Sequence, residues 1–176
     1  MSIQERVKAT VRDVPDFPKP GILFKDITPI LENPVLCKEI TIALSDAYRN
    51  TKIDAVVGVE SRGFLFGMLI AQQLNVPFIP VRKAGKLPYN TIQHSYTLEY
   101  GTATVEMHVG SLKPEWNVLV HDDLLATGGT AMAAAELIQQ QQAHVAGFSF
   151  LIELDFLKGR DSLLRYAPIV DSLINY

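Results

Sequence analysis

The chain has one cysteine, Cys37, in 176 residues, which excludes an intrachain disulfide and a thiolate metal cluster and points to a reducing compartment. Cys37 itself reads as a small apolar helix residue. Positive charge is not in excess either: 16 Lys and Arg stand against 19 Asp and Glu, a formal charge of −3. That balance opposes broad attraction to nucleic acid or to an anionic membrane, because both reward dense Lys and Arg on one face. No apolar run reaches the ~18 residues of a membrane span, and Met1-Ser2-Ile3-Gln4-Glu5-Arg6 is too charged for a secretory leader. The expected location is the cytoplasm. Repeats, linkers and low-complexity tracts are absent too, so one domain over residues 1–176 is expected. At 48% hydrophobic and 20% charged residues, the chain can bury a full core.

Ser2 and Glu5 have capping-box spacing, and Ile3, Val7 and Val11 recur every four residues, so the chain is predicted to open with a short helix. Four prolines between Pro15 and Pro29 interrupt Phe17, Ile22, Leu23, Phe24 and Ile27, giving an apolar segment that cannot be helical throughout. Irregular apolar chain of this kind often lines a pocket. Asn33 and Pro34 then start a helix as cap and first residue. Ala55-Val56-Val57-Gly58-Val59 is a continuous apolar run, as in a strand buried on both faces. A helix over 63–74 and strands over 78–81, 117–121 and 144–154 follow, and the alternation implies an α/β fold with a mainly parallel twisted sheet flanked by helices. Alternation on either side of Gly101 suggests an antiparallel pair added to that sheet.

The segment Val118-Leu119-Val120-His121-Asp122-Asp123-Leu124-Leu125-Ala126-Thr127-Gly128-Gly129-Thr130 carries the most chemistry. It runs from a buried strand into an alanine-rich helix, and ligands of open α/β sheets bind at such carboxyl ends. Gly128 and Gly129 allow close backbone approach, while Thr127 and Thr130 add hydroxyls beside the amides that open the helix. Together these make a phosphate cradle. Neither a Gly-Lys-Ser/Thr nor a Gly-x-Gly-x-x-Gly pattern is present, so it is not a nucleoside-triphosphate loop or a dinucleotide fingerprint. Asp122 and Asp123 would repel a bare phosphate and must face another part of the ligand. Ribose hydroxyls suit them, with Mg²⁺ bridging to a pyrophosphate leaving group.

With Asp16-Phe17-Pro18, Gly21-Ile22-Leu23-Phe24-Lys25-Asp26-Ile27, Glu60-Ser61-Arg62-Gly63-Phe64, Arg82-Lys83-Ala84-Gly85-Lys86-Leu87-Pro88 and Leu98-Glu99-Tyr100-Gly101 in that order, the chain resembles the purine-type phosphoribosyltransferases, closest to their adenine-specific branch. The resemblance covers nearly the whole chain. It implies the type I phosphoribosyltransferase fold, with residues 1–33 forming an N-terminal arm and base-binding hood and residues 82–101 a flexible catalytic lid. The implied reaction joins adenine to 5-phosphoribosyl 1-pyrophosphate (PRPP), giving AMP and pyrophosphate with Mg²⁺, as in purine salvage, and the implied assembly is a homodimer.

By the same resemblance, Glu99 is the general acid/base, and Asp122, Asp123, Ala126, Thr127, Gly128, Gly129 and Thr130 hold the ribose and 5-phosphate. Ser61, Arg62, Arg82, Lys83 and Lys86 would then contact pyrophosphate. Leu23, Phe24 and Lys25 would take adenine, with the Phe24 ring stacked on the purine and backbone atoms reading its edge. Mg²⁺ would be reached mainly through substrate, with Asp122 and Asp123 as possible ligands. A cis peptide is expected between Glu60 and Ser61, where relatives strain the backbone. The stretch from Arg82 to Ser95 lacks periodicity and reads as a long loop; Tyr89 stands where relatives frequently have Gly. His94, His108, His121 and His144 lack metal-ligand spacing, and His121 occupies a position usually aliphatic in the family. Two alternatives stay open: transfer to a 6-oxopurine, and a nucleotide-sensing regulator that binds nucleic acid.

Overall fold

The computed structural model describes residues 1–98 and 101–176. Helix α1 (Ile3–Thr10) starts with the reciprocal cap read from the sequence: Glu5 N–H donates to Ser2 Oγ at 3.2 Å and Ser2 N–H to Glu5 Oε2 at 2.7 Å. Its Val7 is fully buried. The proline-rich segment then forms a two-stranded antiparallel ribbon, β1 (Arg12–Pro15) with β2 (Leu23–Asp26), around a cis Phe17–Pro18 bond. Helices α2 (Thr28–Leu31) and α3 (Pro34–Asp46) follow, and Asn33 caps α3 by accepting from Leu36 N–H at 3.0 Å.

The central sheet begins with β3 (Ala55–Val59), every residue of which is buried. It continues through α4 (Gly63–Leu74), β4 (Phe78–Lys83), the hairpin β5 (Thr91–Leu98) and β6 (Gly101–His108), and β7 (Asn117–Leu125). Helix α5 (Gly129–Gln140), β8 (His144–Glu153), α6 (Gly159–Leu163) and β9 (Val170–Asn175) complete it. The seven strands run in the order β5-β6-β4-β3-β7-β8-β9. From β4 to β9 neighbours are parallel, while β6 is antiparallel to both β4 and β5. Alternate residues of β7 feed opposite faces. Val118 and Val120 join a cluster with the alanines of α5, and Leu119 joins one with α1, α3 and α4. Burying such side chains on both faces contributes roughly 1.5–3 kcal/mol each, which ties β3 and β7 down at the centre.

Two sequence expectations need correction. Residues 82–95 are not one long loop: Arg82 and Lys83 close β4, and β5 begins at Thr91. As an edge strand it is half-exposed along its length, which blurs the period-2 signal. The last strand, β9, was not foreseen. It is short and pairs only with β8, so its polar residues mask its place in the sheet. Among the described residues no helix is long and apolar enough to cross a membrane.

Candidate active site

At the carboxyl end of β7 the chain turns through Ala126, Thr127 and Gly128 into α5. Gly128 adopts φ +85°, a left-handed conformation that glycine tolerates without penalty. Among the described residues no side chain caps α5, and its hydrogen bonding starts with Met132 N–H to Gly128 O at 2.9 Å. The amides before Met132 therefore remain for a ligand. They border a cavity of about 70 Å³ lined by the chain from Leu124 to Ala131, Asp122 and Phe150. The strand-to-helix turn that the sequence offers as a phosphate cradle thus opens on this cavity, with Thr127 exposed at its lip.

Asp123 is buried and Asp122 half-buried beside it. Burial, and then the neighbouring Asp123 charge, push the Asp122 carboxyl well above the ordinary carboxylate range. Burial also raises Asp123, against the pull of Arg62. Arg62 Nε lies 2.9 Å from Asp123 Oδ2, yet the two are not aligned as a hydrogen bond, so that buried oxygen keeps its lone pairs for another donor. Gly63 is what lets α4 start here. A Cβ at this position would meet Asp122 Oδ1 at 2.8 Å and His121 O at 3.0 Å.

Arg62 also reaches the segment expected to bind the base. Its Nη1 donates to Lys25 O at 3.3 Å, and the guanidinium sits 4.8 Å from the Phe24 ring centroid. Phe17 packs edge-on against Phe24 at 5.0 Å, and Leu23 is half exposed next to it. The Lys25 side chain turns away from this face. It is buried, with its Nζ 2.7 Å from Asp13 and 3.6 Å from the Tyr176 ring centroid, so only its backbone faces the site side.

The Glu60–Ser61 peptide is cis, as expected. Ser61 is exposed at the head of α4. Of the basic cluster, Arg82 is already engaged: its Nε is 3.1 Å from Glu60 Oε2 and its Nη1 donates to Lys86 O at 3.4 Å. Among the described residues no carboxylate pairs with the ammonium groups of Lys83 and Lys86, both of which are exposed. Two carboxylates that sequence reasoning missed shape this strand end and loop. Glu60 accepts from Arg82 and from Lys83 N–H at 2.9 Å. Glu106, buried on β6, accepts at one oxygen from Lys86 N–H (2.9 Å) and Leu87 N–H (2.8 Å), and at the other from Thr91 and Gln93. Burial raises both carboxyls, but these donors more than offset it and hold each below its usual range. Tyr89 sits at φ +69°, so the residue that replaces glycine takes a glycine-like conformation. Glu99, the acid/base expected from the sequence, lies outside the described residues.

The phosphoribosyl transferase domain family matches residues 26–173. The chain belongs to the phosphoribosyltransferase family. Among curated members, it is 52% identical to the adenine phosphoribosyltransferase of Cytophaga hutchinsonii over 99% of this chain and 96% of that one. The crystal structure of adenine phosphoribosyltransferase from Thermoanaerobacter pseudethanolicus superposes with a TM-score of 0.95 at 43% identity, covering 99% of this chain and all of that one. The Saccharomyces cerevisiae enzyme, complexed with an imino-altritol bisphosphate and adenine, gives 0.90 at 43% identity over 97% and 98% of the two chains.

Two further features of this phosphoribosyltransferase bear on its site. His121 is fully buried, with Nδ1 3.3 Å from Ser149 Oγ and Nε2 without a partner. Burial drops its pKa to about 3, so it is neutral and packs within the protein. Among the described residues no group of three or more His, Cys, Asp and Glu could cage a metal. Mg²⁺ fits such a site only as it commonly binds, through one or two carboxylates with substrate oxygens completing the shell.

Because folding raises the Asp122 pKa, its ionisation costs stability as pH rises from the ordinary carboxylate value towards the folded one. Asp122→Asn keeps the oxygen that accepts from Asp123 N–H at 2.8 Å and removes one of two like charges. The variant is expected to melt about 2–4 °C higher at pH 8, with the gain shrinking towards pH 4, and to turn over more slowly. Equal melting differences at the two pH values would refute this electrostatic account.

Proposed function

We infer that this chain is an enzyme that transfers the 5-phosphoribosyl group of PRPP to adenine, releasing AMP and pyrophosphate. The observation that carries this reading is Arg62, which joins the Asp122–Asp123 pair beside the phosphate cradle to Phe24 and Lys25 of the hood. Donor and acceptor sites thereby share one edge of the sheet. The adenine-named relatives, alike over almost the entire chain, favour adenine over a 6-oxopurine or a nucleic-acid-binding sensor.

On this reading the amides opening α5 hold the 5-phosphate, and Asp122 and Asp123 accept from the ribose hydroxyls. Ser61, Arg62, Arg82, Lys83 and Lys86 serve the pyrophosphate, with the exposed ammoniums of Lys83 and Lys86 nearest to unspent charge. A purine ring nitrogen bonds to the anomeric carbon while the bond from that carbon to pyrophosphate oxygen breaks, and its electron pair leaves with pyrophosphate. Glu99 takes the proton released from the purine. Mg²⁺, when bound with substrate, supplies positive charge against the departing pyrophosphate. Phe24 stacks on the base and backbone atoms of Leu23 and Lys25 read its edge. A carbonyl there accepts from an exocyclic amine but faces another acceptor in a 6-oxopurine.

The enzyme is read as a cytoplasmic homodimer, with α4 as the face it offers to a second copy. That helix follows Arg62 and leaves Leu65, Met68 and Leu69 between 38% and 53% exposed. Leu69 also lines a cleft of about 570 Å³ between α3 and α4 with Leu31, Pro34 and Cys37. A continuous apolar strip of this kind on one helix is the sort of surface that self-association covers.

A magnesium-dependent assay with each purine is expected to give turnover with adenine and little with hypoxanthine, guanine or xanthine; preference for an oxopurine would overturn the base assignment, and nucleic-acid binding without turnover would revive the sensor. Glu99→Gln should lower kcat roughly a hundredfold or more while leaving substrate binding near normal, and near-normal turnover would remove Glu99 from its role. Met68→Lys should shift sedimentation from dimer to monomer. A variant that stays dimeric would move the interface elsewhere.

A further inference from the structure

Among the described residues, one side-chain hydrogen bond joins the β5–β6 hairpin to the turn read as the phosphate cradle. Tyr96 of β5 lays its ring edge against Gly129, 3.5 Å from where a Cβ would stand. Its hydroxyl lies 3.0 Å from Thr130 Oγ1, partly buried. Thr130 is the second residue of α5, beside the amides that border the 70 Å³ cavity. The ring packs with the α5 side of the core.

A hydroxyl can donate one hydrogen bond while accepting others. With no anion present, the proton between Tyr96 and Thr130 can lie either way. A phosphate in the cradle accepts from the Thr130 hydroxyl, and this forces Thr130 to accept from Tyr96. The resulting chain, Tyr96 O–H to Thr130 O–H to phosphate, is oriented in one direction and ends on a charge, so each bond strengthens the next. Phosphate binding then tightens the hairpin's hold on the cradle, and by reciprocity the docked hairpin tightens phosphate binding.

Building on the phosphoribosyl-transfer reading, we propose that Tyr96 is a positioning residue that couples occupancy of the 5-phosphate cradle to docking of the β5–β6 hairpin. It acts through Thr130 and does not touch substrate. The enzyme thereby distinguishes a sugar carrying a 5-phosphate from one without it by more than the cradle's own contacts.

The test uses the intact enzyme and ribose 5-phosphate as the probe. Tyr96→Phe removes one oxygen and keeps the ring against Gly129, so its melting temperature should stay close to wild type. It is expected to bind ribose 5-phosphate about five- to tenfold more weakly by calorimetry, to raise KM for PRPP by a similar factor, and to leave KM for adenine unchanged at saturating PRPP. In wild type, ribose 5-phosphate should slow amide hydrogen exchange across residues 91–98; in Tyr96→Phe that protection should be lost. Thr130→Val should weaken binding further, and adding Tyr96→Phe to it should cost nothing more, whereas Thr130→Ser should keep the coupling. Unchanged affinity in Tyr96→Phe, additive losses in the double variant, or equal protection of the hairpin in both proteins would overturn the proposal. If wild type binds ribose 5-phosphate but does not convert adenine, the reaction reading fails and the coupling is still decided by exchange. If it binds none, both fail.

Discussion

The ion pair between Arg62 and Asp123 joins parts of the chain that are remote in sequence, and the rest of the site is arranged around it. Asp123 belongs to β7, Arg62 opens α4 after β3, and Lys25, whose carbonyl Arg62 also engages, lies in the N-terminal ribbon. Two adjacent carboxyls, one buried and one half-buried, would strain the end of β7 if nothing opposed them. One guanidinium opposes them and, in the same conformation, holds the N-terminal ribbon. The pairing needs a close approach of α4 to β7, and Gly63 permits it because any side chain there would strike Asp122. The central sheet, the N-terminal ribbon and the turn after β7 are therefore one electrostatic unit.

A comparable arrangement sets the basic loop after β4. Exposed lysines ordinarily wander, since holding a long side chain costs rotamer entropy. Here the backbone is fixed first. Glu60 binds the Lys83 amide and Arg82, while Glu106 takes the amides of Lys86 and Leu87 and closes its remaining capacity on Thr91 and Gln93. Arg82 is drawn into this frame and spends its donors on Glu60 and Lys86 O. What is left extending outward is the ammonium groups of Lys83 and Lys86, placed by bonds that their backbones make.

The strand-to-helix turn after β7 was legible because all of its determinants are local: a buried strand, two carboxylates, two glycines and two threonines within one short segment, with helix α5 following. The caps at Ser2 and Asn33 and the continuous apolar run of β3 were legible for the same reason. The carboxylate frame was not, because Glu106 reads as one more polar residue in an alternating strand until the fold brings Lys86, Leu87, Thr91 and Gln93 around it. Tyr96 is alike: its partner Thr130 lies 34 positions away. Lys25 is a different case: the sequence puts its backbone in the base segment, and the course of its side chain to Asp13 and Tyr176 is a set of contacts that only tertiary structure reveals.

A site read as binding two phosphate-bearing groups contains Glu60, Glu106, Asp122 and Asp123, and a bare carboxylate facing phosphate would repel it by several kcal/mol at short range in a poorly solvated cleft. Each of the four is disarmed differently. Glu60 faces a guanidinium and an amide, Glu106 is saturated by two amides and two side chains, Asp123 faces Arg62, and Asp122 is pushed towards holding a proton. The negative charge is thus consumed within the protein, while the ammoniums of Lys83 and Lys86 and the amides opening α5 are not. A chain with a formal charge of −3 thus keeps exposed cations at this edge of the sheet, because its nearby carboxylates are spent on positioning.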